Sequence, residues 1–285
     1  MLTRKRKVFV IVLSVLLVLS VLAGLYFDYE NTTLQVSHYE IVSANLPAAF
    51  HDFKIIQISD FHNTKSRKLQ NSIIQTIKAE QPNLTVITGD LVDSNRTNIQ
   101  VAIDFIHAIK DDTALYYVPG NHEARISDYQ KLKDGLRENG VVILDNQATT
   151  WEIGGAQINL LGVNDPSMND EDTSDERFMA DTLADITYNR DNFSILLSHR
   201  PELFTVYAEH KIDLVFAGHA HGGQIRLPGI GGLLAPNQGW FPKKTSGTFT
   251  EDRTTMVVSR GIGNSLFPFR VNNRPELVIA TLKTA

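Results

Sequence analysis

Gly218-His219-Ala220-His221-Gly222-Gly223 follows directly on the apolar run Ile212-Asp213-Leu214-Val215-Phe216-Ala217. A short apolar run bounded by turn residues reads as a buried strand. Two imidazoles one residue apart at its end can both leave the sheet edge and point at a common space. Glycines at 218, 222 and 223 let the backbone turn sharply beside whatever occupies that space. Neutral imidazole is the commonest side-chain metal ligand. Alone, such a pair also reads as surface polarity. What decides between the two readings is that four strand ends upstream carry residues of the same kind.

The first is Lys54–Ser59, which runs into Asp60-Phe61-His62. A helix is predicted to follow through about Glu80, with Leu69, Ile73 and Ile77 on one face. Leu84–Thr88 is the next strand and runs into Gly89-Asp90-Leu91-Val92-Asp93; its helix carries Ile99, Ile103 and Ile106. Ala114–Val118 runs into Pro119-Gly120-Asn121-His122-Glu123, and Ser127 with Gln130 has the form of a capping box opening a further helix. Asp60, Asp90 and Asn121 are thus 30 and 31 residues apart, one strand–helix unit each time.

The middle of the chain is richer in strands (141–144, 150–153, 157–163), followed by an acidic loop at 170–172 and a helix over 174–186. Ser194–Ser198 then ends in His199-Arg200-Pro201, and the last strands are expected near 255–259 and 277–282. Alternation of this kind predicts an α/β fold with helices outside its sheets. In such folds ligands gather beyond the carboxyl ends of the strands, and every polar residue singled out above falls there.

The chain opens differently. Val8 to Phe27 is twenty residues without a charge, preceded by Arg4-Lys5-Arg6-Lys7 and followed by Asp28 and Glu30. That length matches a bilayer at helical rise, and the basic flank predicts a cytoplasmic N-terminus with the rest exported. A cleaved signal peptide ending near Val21-Leu22-Ala23 is the competing reading. The expected organisation is a basic stub and anchor at 1–27, a tether and lead-in strand at 28–53, and a catalytic domain at 54–285. The anchor places the protein in the cell membrane as a single-pass chain with that domain outside the cytoplasm.

Four of the 27 basic residues lie in the leader and none of the 32 acidic ones, so the remainder carries net −9. A nucleic-acid partner, which needs a basic face, is disfavoured. A phosphate-bearing substrate stays open if metals supply the positive charge. The chain has no cysteine, so thiolate ligands and thiol nucleophiles are excluded.

Five strand ends therefore deliver Asp60, His62, Asp90, Asn121, His199, His219 and His221. At about four protein groups per ion, seven ligands are too many for one closed site. Two divalent ions sharing Asp90 use them all, and mixed oxygen and imidazole donors suit Mn²⁺, Zn²⁺ or Fe. The order Asp-x-His, Gly-Asp-x-x-Asp, Gly-Asn-His-Glu, His, Gly-His-x-His resembles the calcineurin-like metallophosphoesterase family over residues 54 to about 225. The continuation Gly222–Pro228 resembles its membrane-anchored bacterial phosphodiesterase branch.

The resemblance implies a two-sheet α/β sandwich flanked by helices, behind one transmembrane helix, acting as a di-metal phosphoesterase on a phosphodiester or phospholipid-like substrate. One metal would take Asp60, His62, Asp90 and His221, and the other Asp90, Asn121, His199 and His219. Manganese is the expected metal. His122 would protonate or stabilise the leaving oxygen, with Asp93 holding it in orientation; the alternative for Asp93 is a helix cap. Glu123 reads as a structural partner. Protein phosphatases of the family continue the second Asp with Arg-Gly, whereas Ser94-Asn95 stands here, which argues against phosphoprotein substrates. Arg260 and Arg270 are open between substrate phosphate and structural ion pairs. The apolar stretches 233–236 and 240–242 are open between lipid contact and a secondary core.

Overall fold

The computed structural model describes residues 4–169, 172–264 and 267–285. Of the acidic loop expected at 170–172, only Asp172 is among them. In chain order the elements begin with α1 (Arg4–Thr32), β1 (Gln35–Ser43), β2 (Lys54–Ile58), α2 (Arg67–Glu80), β3 (Leu84–Thr88), α3 (Ile99–Ile109), β4 (Ala114–Val118) and α4 (Tyr129–Glu138). They continue as β5 (Val142–Ile143), β6 (Gln147–Ile153), β7 (Ala156–Gly162), α5 (Asp175–Asp185), β8 (Phe193–Leu197), α6 (Phe204–Glu209) and β9 (Leu214–Ala217). Two small hairpins follow, β10 (Arg226–Leu227) with β11 (Gly231–Gly232) and β12 (Leu234–Ala235) with β13 (Gly239–Trp240). The chain ends in β14 (Gly247–Glu251), β15 (Thr254–Val258) and β16 (Glu276–Thr284).

Two six-stranded sheets face each other, ordered β1-β16-β2-β3-β4-β5 and β14-β15-β9-β8-β7-β6. Strands β2 to β5 run parallel, as do β7, β8, β9 and β15. Alternation along β2 shows how the layers arise. Ile55 points into the apolar layer between the sheets with Val86, Ile195, Phe216 and Val257, while Ile56 and Ile58 point outward against α2 and α3 through Ile73, Ile77 and Ile106. The second sheet is covered likewise by α5 and α6, through Met179, Leu183, Phe204 and Tyr207. The expected sandwich flanked by helices is what forms.

One expectation differs. The capping box at Ser127 and Gln130 does not form: α4 starts at Tyr129 behind Asp128, whose side chain makes no cap bond, and Gln130 bonds Asp134 instead. Within residues 28–53, the lead-in strand is β1 and the stretch ahead of it is helical. Helix α1 runs on to Thr32, and β1 pairs with β16 along nine residues.

Because the central strands of each sheet are parallel, their carboxyl ends lie on one edge, and Gln57 links the edges of the two sheets. Gln57 donates from Nε2 to Thr88 Oγ1 in its own sheet and to Ala217 O in the other, at 2.9 and 2.8 Å. Gly218 makes the approach possible: a Cβ there would sit 1.9 Å from Ser59 Oγ.

Helix α1 is long and apolar enough to cross a membrane, with mean hydropathy 3.1 and none of its apolar window buried. It fits a membrane anchor.

Candidate metal centre

All seven residues expected as ligands meet at the joined strand ends, and each is buried. Asp60, His62, Asp90 and His221 each offer a donor atom within 4.8 Å of the others, and Asp90, His199 and His219 form a second such group. Asp90 belongs to both. His62 Nε2 lies 3.1 Å from His221 Nε2, and His199 Nε2 lies 3.2 Å from His219 Nδ1. Asn121 Oδ1 is 3.2 Å from His199 Nε2, which places it with the second group.

The donor set fits two divalent cations on several counts. Ring nitrogens face one another in pairs around two small volumes. His199 Nδ1 donates to the carbonyl of Thr88 at 2.8 Å, so its Nε2 lone pair is turned inward. His219 is bonded on its outer Nε2 by Asn237 Oδ1 at 3.1 Å, which leaves Nδ1 for the interior. Five of the seven residues hold a positive φ: Asp60 (51°), His62 (46°), Asp90 (51°), His219 (63°) and His221 (46°). Sparsely populated backbone costs a non-glycine residue about 1–3 kcal/mol, and such strain gathers at functional sites.

Electrostatics agree. Burial pushes His62 and His219 down to about 3, so both rings are neutral. Burial, with His62 and Arg270 beside it, holds His221 well below the ordinary range. Asp90 is opposed by burial, yet His199, His62 and His122 draw it well below the usual carboxylate value. Against its own burial, His199 rises to about 10 in the field of Asp90 and Asp60. A cation is thus favoured where His199 faces the two carboxylates.

Glu123 holds the floor together. Its carboxylate accepts from Asp90 N (2.9 Å), Gly120 N (2.7 Å) and Val92 N (3.1 Å), tying the β3 and β4 ends to one another. Burial and the Asp90 charge push its carboxyl up to about 7. Gly120 must be glycine, since a Cβ there would lie 2.3 Å from Asp90 Oδ1. The structural role expected of Glu123 is the one these bonds describe.

His122 faces the same cavity with Nε2 3.9 Å from Asp90 Oδ2. Its Nδ1 accepts the backbone N–H of Ser94 at 2.9 Å, so the ring hydrogen sits on Nε2. The orienting bond expected from Asp93 therefore comes from Ser94. Asp93 Oδ1 is 4.0 Å from Nδ1, and its carboxylate accepts from Asn95 N (2.8 Å) and the Arg96 guanidinium (2.9 Å). Its charge still opposes the fall that burial causes in His122. Asp93 caps the turn that follows it, through Asn95 and Arg96, and not a helix as its alternative reading held, since Asn98 caps α3.

The arginines resolve as structural. Arg270 is fully buried and donates to the carbonyls of Arg260 (2.8 Å) and Gly263 (2.6 Å), and Arg260 pairs with Glu276 at 3.1 Å. The apolar stretch after the His-x-His turn divides: Ala235 is buried and Leu234 and Pro236 line the cavity, while Trp240 is 68% and Phe241 58% exposed. Phe267 borders the cavity on another side, and its volume is about 430 Å³. Three roles that shape the site went unread in the sequence. Asn63 accepts from Asp93 N (2.9 Å), Ser94 holds His122, and Asn237 holds His219. Asn63 stands one place beyond the Asp-x-His block, and Asn-initiated turns beside a motif are a usable signal; Asn237, sixteen residues past His221, has none.

Comparison with known proteins places this geometry. The Bacillus subtilis (strain 168) metallophosphoesterase YkuE is 28% identical over 260 residues, 90% of this chain and 87% of the relative. The Escherichia coli (strain K12) phosphodiesterase YaeI is 26% identical over 238 residues, 81% of this chain and 82% of the relative. Among solved structures, TT1561 of Thermus thermophilus shares the fold with a TM-score of 0.50 at 13% identity, covering 73% of this chain and 89% of that one. The Calcineurin-like phosphoesterase family model matches residues 53–223, from the start of β2 through the His-x-His turn, and the chain belongs to that family of metallophosphoesterases.

Proposed function

We propose that the protein hydrolyses phosphodiesters at a two-metal site outside the cytoplasm, with Mn²⁺ as the resident ion and Zn²⁺ or Fe as the alternatives. The observation that carries the reading is the pair of buried donor groups sharing Asp90. Asp60, His62, Asp90 and His221 hold one ion, and Asp90, Asn121, His199 and His219 the other. Two divalent ions so placed polarise the phosphoryl oxygens and activate water for in-line attack at neutral pH.

The remaining work falls to the chain itself. Thr88 O and Asn237 fix the tautomers of His199 and His219, so no rearrangement is needed on binding. Glu123 keeps Asp90 and Asn121 at a constant separation through backbone bonds. His122, with its hydrogen on Nε2, donates to the leaving oxygen as charge develops there. Asp93 and Ser94 form the turn that presents it. That one relative, YaeI, is named a phosphodiesterase supports the choice of a diester.

The test is turnover of bis(p-nitrophenyl) phosphate by the full chain in detergent, with and without Mn²⁺ after chelation. Metal-dependent release of p-nitrophenol is expected; tight binding of the ester without turnover would make the site a receptor instead. Orientation follows from Arg4-Lys5-Arg6-Lys7 ahead of the apolar helix. Protease added to cells stripped of their wall should digest the domain, and protection until lysis would reverse the topology.

A further inference from the structure

The anchor helix ends on the catalytic domain, beside its cavity. Glu30, 6% exposed, accepts the backbone N–H of Asn273 at 2.7 Å. Asn31 Oδ1 accepts from Arg270 N (3.0 Å) and Asn264 Nδ2 (2.9 Å). Tyr26 exchanges hydrogen bonds with Asn272, donating to its Oδ1 at 3.0 Å and accepting from its N–H at 3.1 Å. Asn273 in turn donates from Nδ2 to His221 O at 2.8 Å, so one side chain separates the anchor from a candidate metal ligand. The domain is held against the end of α1 at which its uncharged stretch closes, at Phe27.

An apolar path runs along that junction. Phe27 on α1 meets Phe269 edge-on at 5.3 Å between ring centroids, and Phe269 meets Phe267 at 6.5 Å. Phe267 borders the cavity that holds Asp90 and His122. All three rings are 38–40% exposed. Aromatic side chains bear about 150–250 Å² of surface each, and a run of them left open to water beside a site marks an interaction surface. A lipid's acyl chain is the occupant that matches both ends of this path: one end is a membrane-spanning helix, and the other is a phosphate-handling site.

We infer that the substrate is a membrane lipid carrying a phosphodiester, whose acyl chains reach the site along Phe27, Phe269 and Phe267 while remaining continuous with the bilayer. This rests on the phosphoesterase reading above. Water attacks phosphorus, the bond from phosphorus to the headgroup oxygen breaks, and the headgroup leaves as its alcohol with one proton of the water. The phosphate monoester stays on the lipid.

The experiment reconstitutes the full chain with Mn²⁺ in dioleoylphosphatidylcholine vesicles and offers three esters that all release p-nitrophenol. They are dioleoylphosphatidyl-p-nitrophenol, its dibutanoyl counterpart and bis(p-nitrophenyl) phosphate. The wild-type protein should prefer the dioleoyl ester over the dibutanoyl one. In F267S/F269S that preference should fall about tenfold, as expected when two rings cease to cover an acyl chain. Phe27→Ser, a change in the anchor alone, should shift the ratio the same way by about threefold. A wild-type ratio near one overturns the inference, as does a ratio unmoved in both variants, the result a protein-docking patch would give. Absence of turnover on all three esters overturns the phosphoesterase reading and this inference with it.

Discussion

Asp90 in the floor of the cavity and Trp240 in the hairpin whose first strand and turn line it obey different physics. Asp90 is 1% exposed, its N–H is bonded to Glu123, and its carboxylate lies within 3.2 Å of His199 Nε2 and accepts from His122 N at 2.8 Å. Trp240 is 68% exposed on a two-residue strand whose ladder partner is another two-residue strand. In the floor the polar atoms are shared among several residues, so a change there propagates to the other ligands. In the wall the backbone carries the shape, and the exposed rings stay free for whatever arrives. The comparison teaches that a buried, shared polar floor and an exposed hairpin are tied down by separate parts of the chain.

The sharpest way to break the comparison is Asp90→Ala. Both donor groups lose a member, so elemental analysis should find neither ion and turnover should drop to background. Two metals retained in that variant would end the shared-ligand assignment. Next comes His122→Ala, which lies outside both groups and should leave metal content intact. The loss should be about 10²–10⁴-fold on an alkyl phosphodiester and slight on a p-nitrophenyl ester, whose phenolate departs without help. Equal losses on the two esters would remove His122 from the leaving-group role.

A third change tests the floor as a structure. Arg200, next to His199, is 3% exposed and clasped by Asp165 at 2.5 and 2.7 Å. Burial works against the Asp165 charge, but Arg200 prevails and holds its pKa below the ordinary value. Asp165→Ala removes the bidentate partner of a buried guanidinium, leaving it Glu202 and Ser167, and should cost about 1.5–3 kcal/mol of stability by denaturant unfolding. Because the folded pKa is the depressed one, the stabilisation is present above the unfolded value near about 3.9 and is lost as pH falls through the folded value. A wild-type stability that rises on acidification below about pH 4 would contradict this. The smallest effect is expected in the wall: Trp240→Ser should alter unfolding stability by no more than about 0.5 kcal/mol, and a larger loss would mean that the ring is packed.

Much of the floor was legible because parallel βα units repeat. A strand of five apolar residues followed by an amphipathic helix sets the next strand end about thirty residues on, so Asp60, Asp90 and Asn121 announce a common edge before any contact is known. The bounds of β3 and β4 agree with the reading residue for residue. Local capping was read less well: Ser127 had the right spacing, but α4 starts beyond it, and Gln130 reaches forward to Asp134. Asp93 was read toward His122, yet its own turn offered donors nearer at hand.

By itself the sequence determined the α/β class, the membrane-length helix and the seven polar residues at strand ends, and its motifs carried the family resemblance that implied a two-sheet sandwich. These follow from periodicity and from short motifs, which act over a few residues and survive as patterns in one dimension. Tertiary structure alone decided that β16 inserts between β1 and β2 and that Ser94 rather than Asp93 bonds His122. It also decided that Asn237 backs His219 and that the anchor helix is fastened to the domain through Glu30 and Asn31. Each of these joins residues whose separation along the chain carries no period, and each depends on which polar group is left to be paired once the sheets have closed. That remainder is known only when the whole chain has been folded.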